Sequence, residues 1–421
     1  MTHTTIRSVL PAGLTGNSPD ESSPFLHGVD GTWLPIVLGC AAALVLVVIV
    51  RGRSWGRKPW MQALSRLGLT ALFTTLALVG ALFNNEYAFY TSWGDLLGDS
   101  PEDTPRHYGA PTPAPALDQQ APSASATPTA PTTPQALPAL PQPGQRLQKC
   151  EIPGPKNADG RPTASRKVYV QLPVGYDPHS ATRHPVIVAM HGLPGSPESY
   201  SKLDHFYTRL DKAVSDRRVA APIVVVPQLN RTPDDDTECI DNPHGLQTET
   251  WLASTLPTWV RHTFAVAPGR GSWATWGYSL GGWCASMLTM KHPATFGAAV
   301  AYQGYFRPQF DGHPPFAPNS PQARSYDLIA LEKANPVPVS LWLFASDADK
   351  VSYPSVKEFL TVVKRPTDVT ARIAQGGGHR LSVWTRKIPR SFDWLAQVQP
   401  GFAPSSTFHP QGKSRLVDGS S

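Results

Sequence analysis

Trp273-Ala274-Thr275-Trp276-Gly277-Tyr278-Ser279-Leu280-Gly281-Gly282-Trp283-Cys284 is the stretch on which the fold turns. Trp273 to Trp276 read as a strand, and Leu280 to His292 as a helix. Between them lies Gly277-Tyr278-Ser279-Leu280-Gly281, a G-x-S-x-G sequence. A strand that turns sharply into a helix needs glycines around the turning residue, because the backbone is strained there and the helix packs close. Such a turn lifts the serine hydroxyl onto the strand's end. With 33 glycines in the chain the pattern alone is weak; a glycine-rich turn without chemistry is the plain alternative, and the strand–turn–helix context decides against it.

The same alternation extends to both sides. Val168–Leu172, Pro185–Met190, Pro222–Pro227, Phe296–Ala301, Val337–Ala345 and Val369–Ala374 are short apolar or β-branched runs that predict strands. Ser199–Ser215, Glu249–Phe264, Ser355–Val363 and Leu381–Gln397 predict helices between them. Near-continuous apolar strands separated by helices make a mostly parallel sheet covered on both faces. The class is α/β. Chemistry is then expected in the loops after strand ends.

A serine hydroxyl is a weak nucleophile until a base takes its proton and a third group orients that base. With an elbow of this type the partners follow in the order Ser, Asp/Glu, His. The run ending at Ala345 leads into Ser346-Asp347-Ala348-Asp349-Lys350, and the run ending at Ala374 leads into Gly376-Gly377-Gly378-His379. Ser279, Asp349 and His379 are the expected triad; Asp347 is the alternative acid, disfavoured because Asp349 lies deeper in the loop. His191-Gly192-Leu193 follows the strand ending at Met190, so the backbone N–H groups of Leu193 and Leu280 are the expected oxyanion donors. No metal or organic cofactor is implied. Asp234-Asp235-Asp236 with His244 matches no standard ligand spacing and reads as a solvated loop. Tyr302 to Arg324 is expected to form the rim of the pocket.

These motifs resemble a known group. Val186-Ile-Val-Ala-Met-His-Gly-Leu-Pro-Gly195, Asp236-Thr-Glu-Cys-Ile-Asp241, Glu249-Thr-Trp-Leu252, the elbow and Gly378-His-Arg-Leu-Ser-Val-Trp384 are similar to the esterase D and feruloyl-esterase-like branch of the α/β-hydrolases. A more distant resemblance is to the secreted mycolyltransferases of actinobacteria. The resemblance covers residues 166–400. It implies an α/β-hydrolase fold, supports the same triad and donors, and does not settle the substrate, because that branch hosts carboxylesterases, thioesterases and acyltransferases. The expected activity is hydrolysis of a carboxylic ester through an acyl-enzyme, with acyl transfer by the same triad as the alternative and an inactive wall-binding protein as the further one. Similar domains carry cysteines at the places of Cys239 and Cys284, which makes these two the expected disulfide, with Cys150 the alternative partner.

The chain's front part is of another kind. Of 421 residues 45 are proline, about twice the usual roughly 5 %, and only 16 % are charged against the usual roughly 25 %. That excludes a single compact domain and a coiled coil, and a net charge of +6 is too small and scattered to mark a nucleic-acid partner. No charged residue lies between Asp30 and Arg51, or between Arg66 and Glu86, and both windows approach the ~20 residues needed to span a bilayer. Arg51, Arg53, Arg57, Lys58 and Arg66 in the connector place it in the cytoplasm and both ends outside, by the positive-inside rule. The expected organisation is an extracytoplasmic tail (1–30), two transmembrane helices with their connector (31–85) and a Pro/Ala/Thr-rich linker (86–145). A catalytic domain (146–400) and a disordered tail (401–421) complete it. Partners on this reading are the membrane, through the two helices, and an ester substrate, lipid- or wall-linked. Membrane-anchored esterases of actinobacteria resemble this arrangement.

Overall fold

The computed structural model describes residues 68–69, 72–73, 75–76, 103–109, 137–232, 236–310 and 314–404. The first predicted span lies outside these residues, as does the second save for six helical positions between Gly68 and Leu76. Among the described residues no helix is long and apolar enough to cross a membrane. The tail expected to be disordered starts at 401, but Phe402 is buried and its carbonyl accepts the Ala220 N–H at 2.9 Å, so the chain is still packed there; the residues beyond Pro404 lie outside those described.

The chain divides into two units. The larger comprises 103–345, 352–373 and 384–421; the smaller comprises 1–102 with 346–351 and 374–383.

The larger unit is built on a sheet of nine described strands: β1 Asp103–Gly109, β2 Leu147–Ile152, β3 Arg166–Gln171, β4 Val186–Met190, β5 Ile223–Pro227, β6 Trp273–Tyr278, β7 Ala298–Tyr302, β8 Ser340–Ser346 and β9 Asp368–Ala374. Their order is β1-β9-β8-β7-β6-β4-β5-β3-β2. From β5 through β4, β6 and β7 to β8 the pairing is parallel, with Met190 opposite Gly277 and Tyr278 opposite Tyr302. β3 joins β5, and β2 joins β3, antiparallel. Every residue of β4, β5, β6 and β7 is buried, as a strand covered on both faces requires.

Helices α1 Phe206–Ser215, α2 Leu256–Thr263, α3 Leu280–Lys291, α4 Leu328–Ala334, α5 Tyr353–Leu360 and α6 Ile388–Val398 accompany the sheet. Residues Leu280–Met290 of α3 are all buried, which is why the sequence shows no polar stripe there. The run Ser199–Ser215 is not one helix: left-handed Asp204 and His205 (φ 36° and 58°) split it into Ser199–Lys202 and α1.

Neither edge strand, β1 or β2, is among the strands expected from the sequence. β2 lies just inside the boundary at 146. β1, however, falls within the stretch 86–145 expected as linker, and this corrects that reading. Its sequence Asp-Thr-Pro-Arg-His-Tyr-Gly lacks a strand's apolar alternation because it lies at the sheet's outer edge, with five of seven residues exposed. Pro105 has no N–H to give to a ladder, so an edge is the place a strand containing it can occupy.

Candidate active site

The elbow is explained by close approach. A Cβ on Gly277 would lie 2.1 Å from the Gly281 carbonyl oxygen, and a Cβ on Gly281 would lie 2.0 Å from that of Met190. α3 therefore sits directly against the ends of β4 and β6, and only glycine allows it. Ser279, between them, has φ 55° and ψ −124°, a strained conformation held by its N–H bond to the Tyr302 carbonyl at 2.9 Å. Its own carbonyl accepts from Gly282 and Trp283, closing the first turn of α3. Leu280 N–H belongs to that first turn, where the helix itself supplies no acceptor.

The loop after β4 lies beside Ser279. A Cβ on Gly192 would stand 3.5 Å from the Ser279 Cβ and 2.9 Å from the Tyr278 ring. His191 is fully buried behind it. Its Nδ1 lies 2.8 Å from the Gly192 carbonyl, and its Nε2 accepts the Leu229 N–H at 3.3 Å. The second bond makes Nε2 the acceptor, so Nδ1 carries the proton and donates to Gly192. Burial pushes the imidazole down to about 4, against smaller upward contributions from the Gly192 bond and Glu198. A neutral histidine thus fixes the peptide that precedes Leu193. Sequence reasoning named this histidine only as part of a turn; a buried polar residue between an apolar strand and a glycine was the available signal.

The smaller unit holds the other two candidates. Asp349 Oδ2 is 2.7 Å from His379 Nδ1, with the aspartate side chain buried and that of the histidine nearly so. The other oxygen of Asp349 accepts the Val351 N–H at 2.9 Å. Asp347 is exposed and serves the loop instead: its Oδ1 accepts the Gly376 N–H at 2.7 Å, while Ser346 Oγ donates to the Gly376 carbonyl at 2.6 Å. Gly376, Gly377 and Gly378 have φ of 76°, 96° and 58°, a run of left-handed residues that only glycine makes without strain. The structure thus brings together Asp349 with His379, and Ser279 with the Gly192 loop.

The long loop before α2 is fastened to α3. Cys239 and Cys284 form a disulfide, and Cys150 is a buried free thiol. Trp283 Nε1 donates to the Glu238 carbonyl at 2.9 Å, and Tyr305 donates to the Glu238 carboxylate at 2.7 Å. Further along, buried Glu249 accepts from Lys291, His292 and Tyr326. Burial alone would raise its carboxyl, but bonds and charge from His292, Lys291 and Tyr326 outweigh it and bring it down to about 2. Among the described residues, no group of three His, Cys, Asp or Glu side chains is placed to hold a metal ion.

The sequence model of the family described as "Putative esterase" matches residues 160–393. The chain belongs to that Esterase family. The match runs from β3 into α6 and includes the elbow, the Gly192 loop and the Asp349–His379 pair. An uncharacterised protein of Corynebacterium glutamicum is 22 % identical over 245 residues, 55 % of this chain and 57 % of that protein, so the chain spans little more than half of that relative. Among solved structures, a ferulic acid esterase is similar at TM-score 0.49 and 18 % identity, over 61 % of this chain and 99 % of that one. An S-formylglutathione hydrolase from Agrobacterium tumefaciens has TM-score 0.46 and 15 % identity over 60 % and 96 %. MPT51 of Mycobacterium tuberculosis has TM-score 0.43 and 17 % identity over 59 % and 98 %.

Proposed function

We infer that this Esterase-family chain hydrolyses a carboxylic ester through an acyl-enzyme on Ser279, outside the cytoplasmic membrane. The observation that carries the reading is the strained Ser279 at the β6–α3 turn with the Gly192 loop against its Cβ. In the proposed cycle His379 takes the serine proton as the hydroxyl attacks the ester carbonyl, while Asp349 holds the imidazole by its Nδ1–H. The tetrahedral oxyanion is met by the N–H groups of Leu193 and Leu280, and such fixed donors are worth about 3 kcal/mol each in the transition state. His379 then protonates the leaving alcohol, and water repeats the sequence to release the acid.

The basic connector Arg51–Arg66 supports the outward orientation, and the disulfide fits an oxidising compartment. The available esters there are acylated lipids and wall glycoconjugates, which make the proposed substrate class. Ser279→Ala is the test: it should abolish p-nitrophenyl ester turnover, and retained turnover would overturn the assignment. With an added alcohol, free acid should remain the main product; a predominant alkyl ester would move the assignment to acyl transfer. Protease added to intact protoplasts should remove the catalytic domain, and protection until lysis would invert the topology.

A further inference from the structure

Asp103 is the one acidic residue of β1, and its carboxylate is completely buried although the strand around it is exposed. Three cations converge on it. Arg372, on β9, pairs with one oxygen; Lys387 Nζ lies 2.5 Å from the other, and Arg390 stands at 3.6 Å. Arg372 and Lys387 are themselves nearly buried, whereas Arg390 is half exposed. Along the rest of its length β1 pairs with β9, Tyr108 packs against the core, and His107 Nδ1 lies 3.3 Å from Thr370 Oγ1.

The positions of these cations along the chain matter more than their number. Arg372 lies seven residues before His379, on the strand that leads into its loop. Lys387 and Arg390 lie eight and eleven residues after it, where the loop ends and α6 begins. The far side is already anchored: Trp384 stacks on Tyr302 at 4.5 Å, and Trp394 Nε1 donates to Thr370 at 3.1 Å. The buried carboxylate is shared by Arg372 on one arm and Lys387 on the other, so removing it takes away the ionic link between the two arms. That anion comes from a strand well over 200 residues away in sequence.

We propose that Asp103 is a positioning residue for catalysis: β1 clasps together the two arms of the loop that carries His379, and thereby holds the base in register. This rests on the assignment of His379 as the general base. The clasp reaches the catalytic loop through its two ends, not by touching substrate.

The experiment uses the full chain. For Asp103→Asn, kcat on p-nitrophenyl acetate, per folded molecule, should fall at least tenfold with KM within about twofold of the parent. The rate of fluorophosphonate labelling should fall by the same factor, since it needs the same base. Asp103→Glu should restore kcat to within about threefold. Should Asp103→Asn fail to fold, Lys387→Gln combined with Arg390→Gln cuts the clasp on one arm only and leaves Asp103 paired with Arg372; it should lower kcat severalfold. Unchanged kcat per folded molecule in whichever variant folds overturns the proposal, as does equal loss in Asp103→Asn and Asp103→Glu. A parent chain inert to both ester and fluorophosphonate would instead overturn the esterase reading, and this inference with it.

Discussion

Gly281→Ala puts the account of the elbow under the most direct strain. The added methyl would lie 2.0 Å from the Met190 carbonyl oxygen, 2.5 Å from its carbon and 2.7 Å from the His191 carbonyl oxygen. Non-bonded heavy atoms rest at roughly 3.5 Å, so helix α3 and the end of β4 must part by more than an ångström. All three atoms are backbone, and none can rotate aside. That movement carries Leu280 N–H away from Leu193 N–H, because one starts α3 and the other follows β4 by three residues. Misplacement on this scale costs about 100-fold in rate, and overpacking costs about 1–3 kcal/mol of stability. Steady-state kinetics on p-nitrophenyl acetate should show kcat/KM down by about 100-fold, and urea denaturation should show a lower midpoint. A variant within threefold of the parent in kcat/KM, at unchanged stability, would refute the claim that this glycine sets the distance between helix and loop.

Acid should destabilise the folded chain in two overlapping windows. His191 is lowered to about 4 when folded against about 6.5 unfolded, so the unfolded chain binds the extra proton; up to about 3 kcal/mol is present above 6.5 and is lost as pH falls toward 4. Glu249, lowered to about 2, adds a similar loss from about 4.5 downward. Urea titrations between pH 7 and 3 check both; Glu249→Gln should flatten only the lower window, and a flat profile from pH 7 to 4 contradicts the upper. Reducing Cys239–Cys284, which closes a loop of about 45 residues, should cost on the order of 4 kcal/mol by chain entropy, measured as a lower denaturation midpoint with reductant.

The strands that carry the candidate site were legible because they are the most buried. Val186–Met190, Ile223–Pro227 and Trp273–Tyr278 carry no charged residue because the sheet covers them on both faces, and the glycines around Ser279 marked the turn that follows. The edges were not legible. β1 contains proline, arginine and histidine because an edge exposes them, and in isolation that composition cannot be told from the Pro-rich residues beside it. Asp347 and Asp349 differ in sequence by two positions only; what separates them is which carboxylate the chain turns toward His379 and which toward Gly376 N–H. The break at Asp204–His205 was equally hidden, since left-handed backbone at two such residues follows from packing. The clasp at Asp103 joins residues too far apart for any spacing to reveal.

The central claim is that Ser279 forms the covalent intermediate. Mixing the full chain with a fluorophosphonate and mapping the adduct by peptide mass spectrometry tests it in one step. The account predicts a single phosphonyl group on the peptide containing Ser279, and a greatly slowed reaction in His379→Ala. An adduct on any other residue, or none at all in a folded chain, contradicts it.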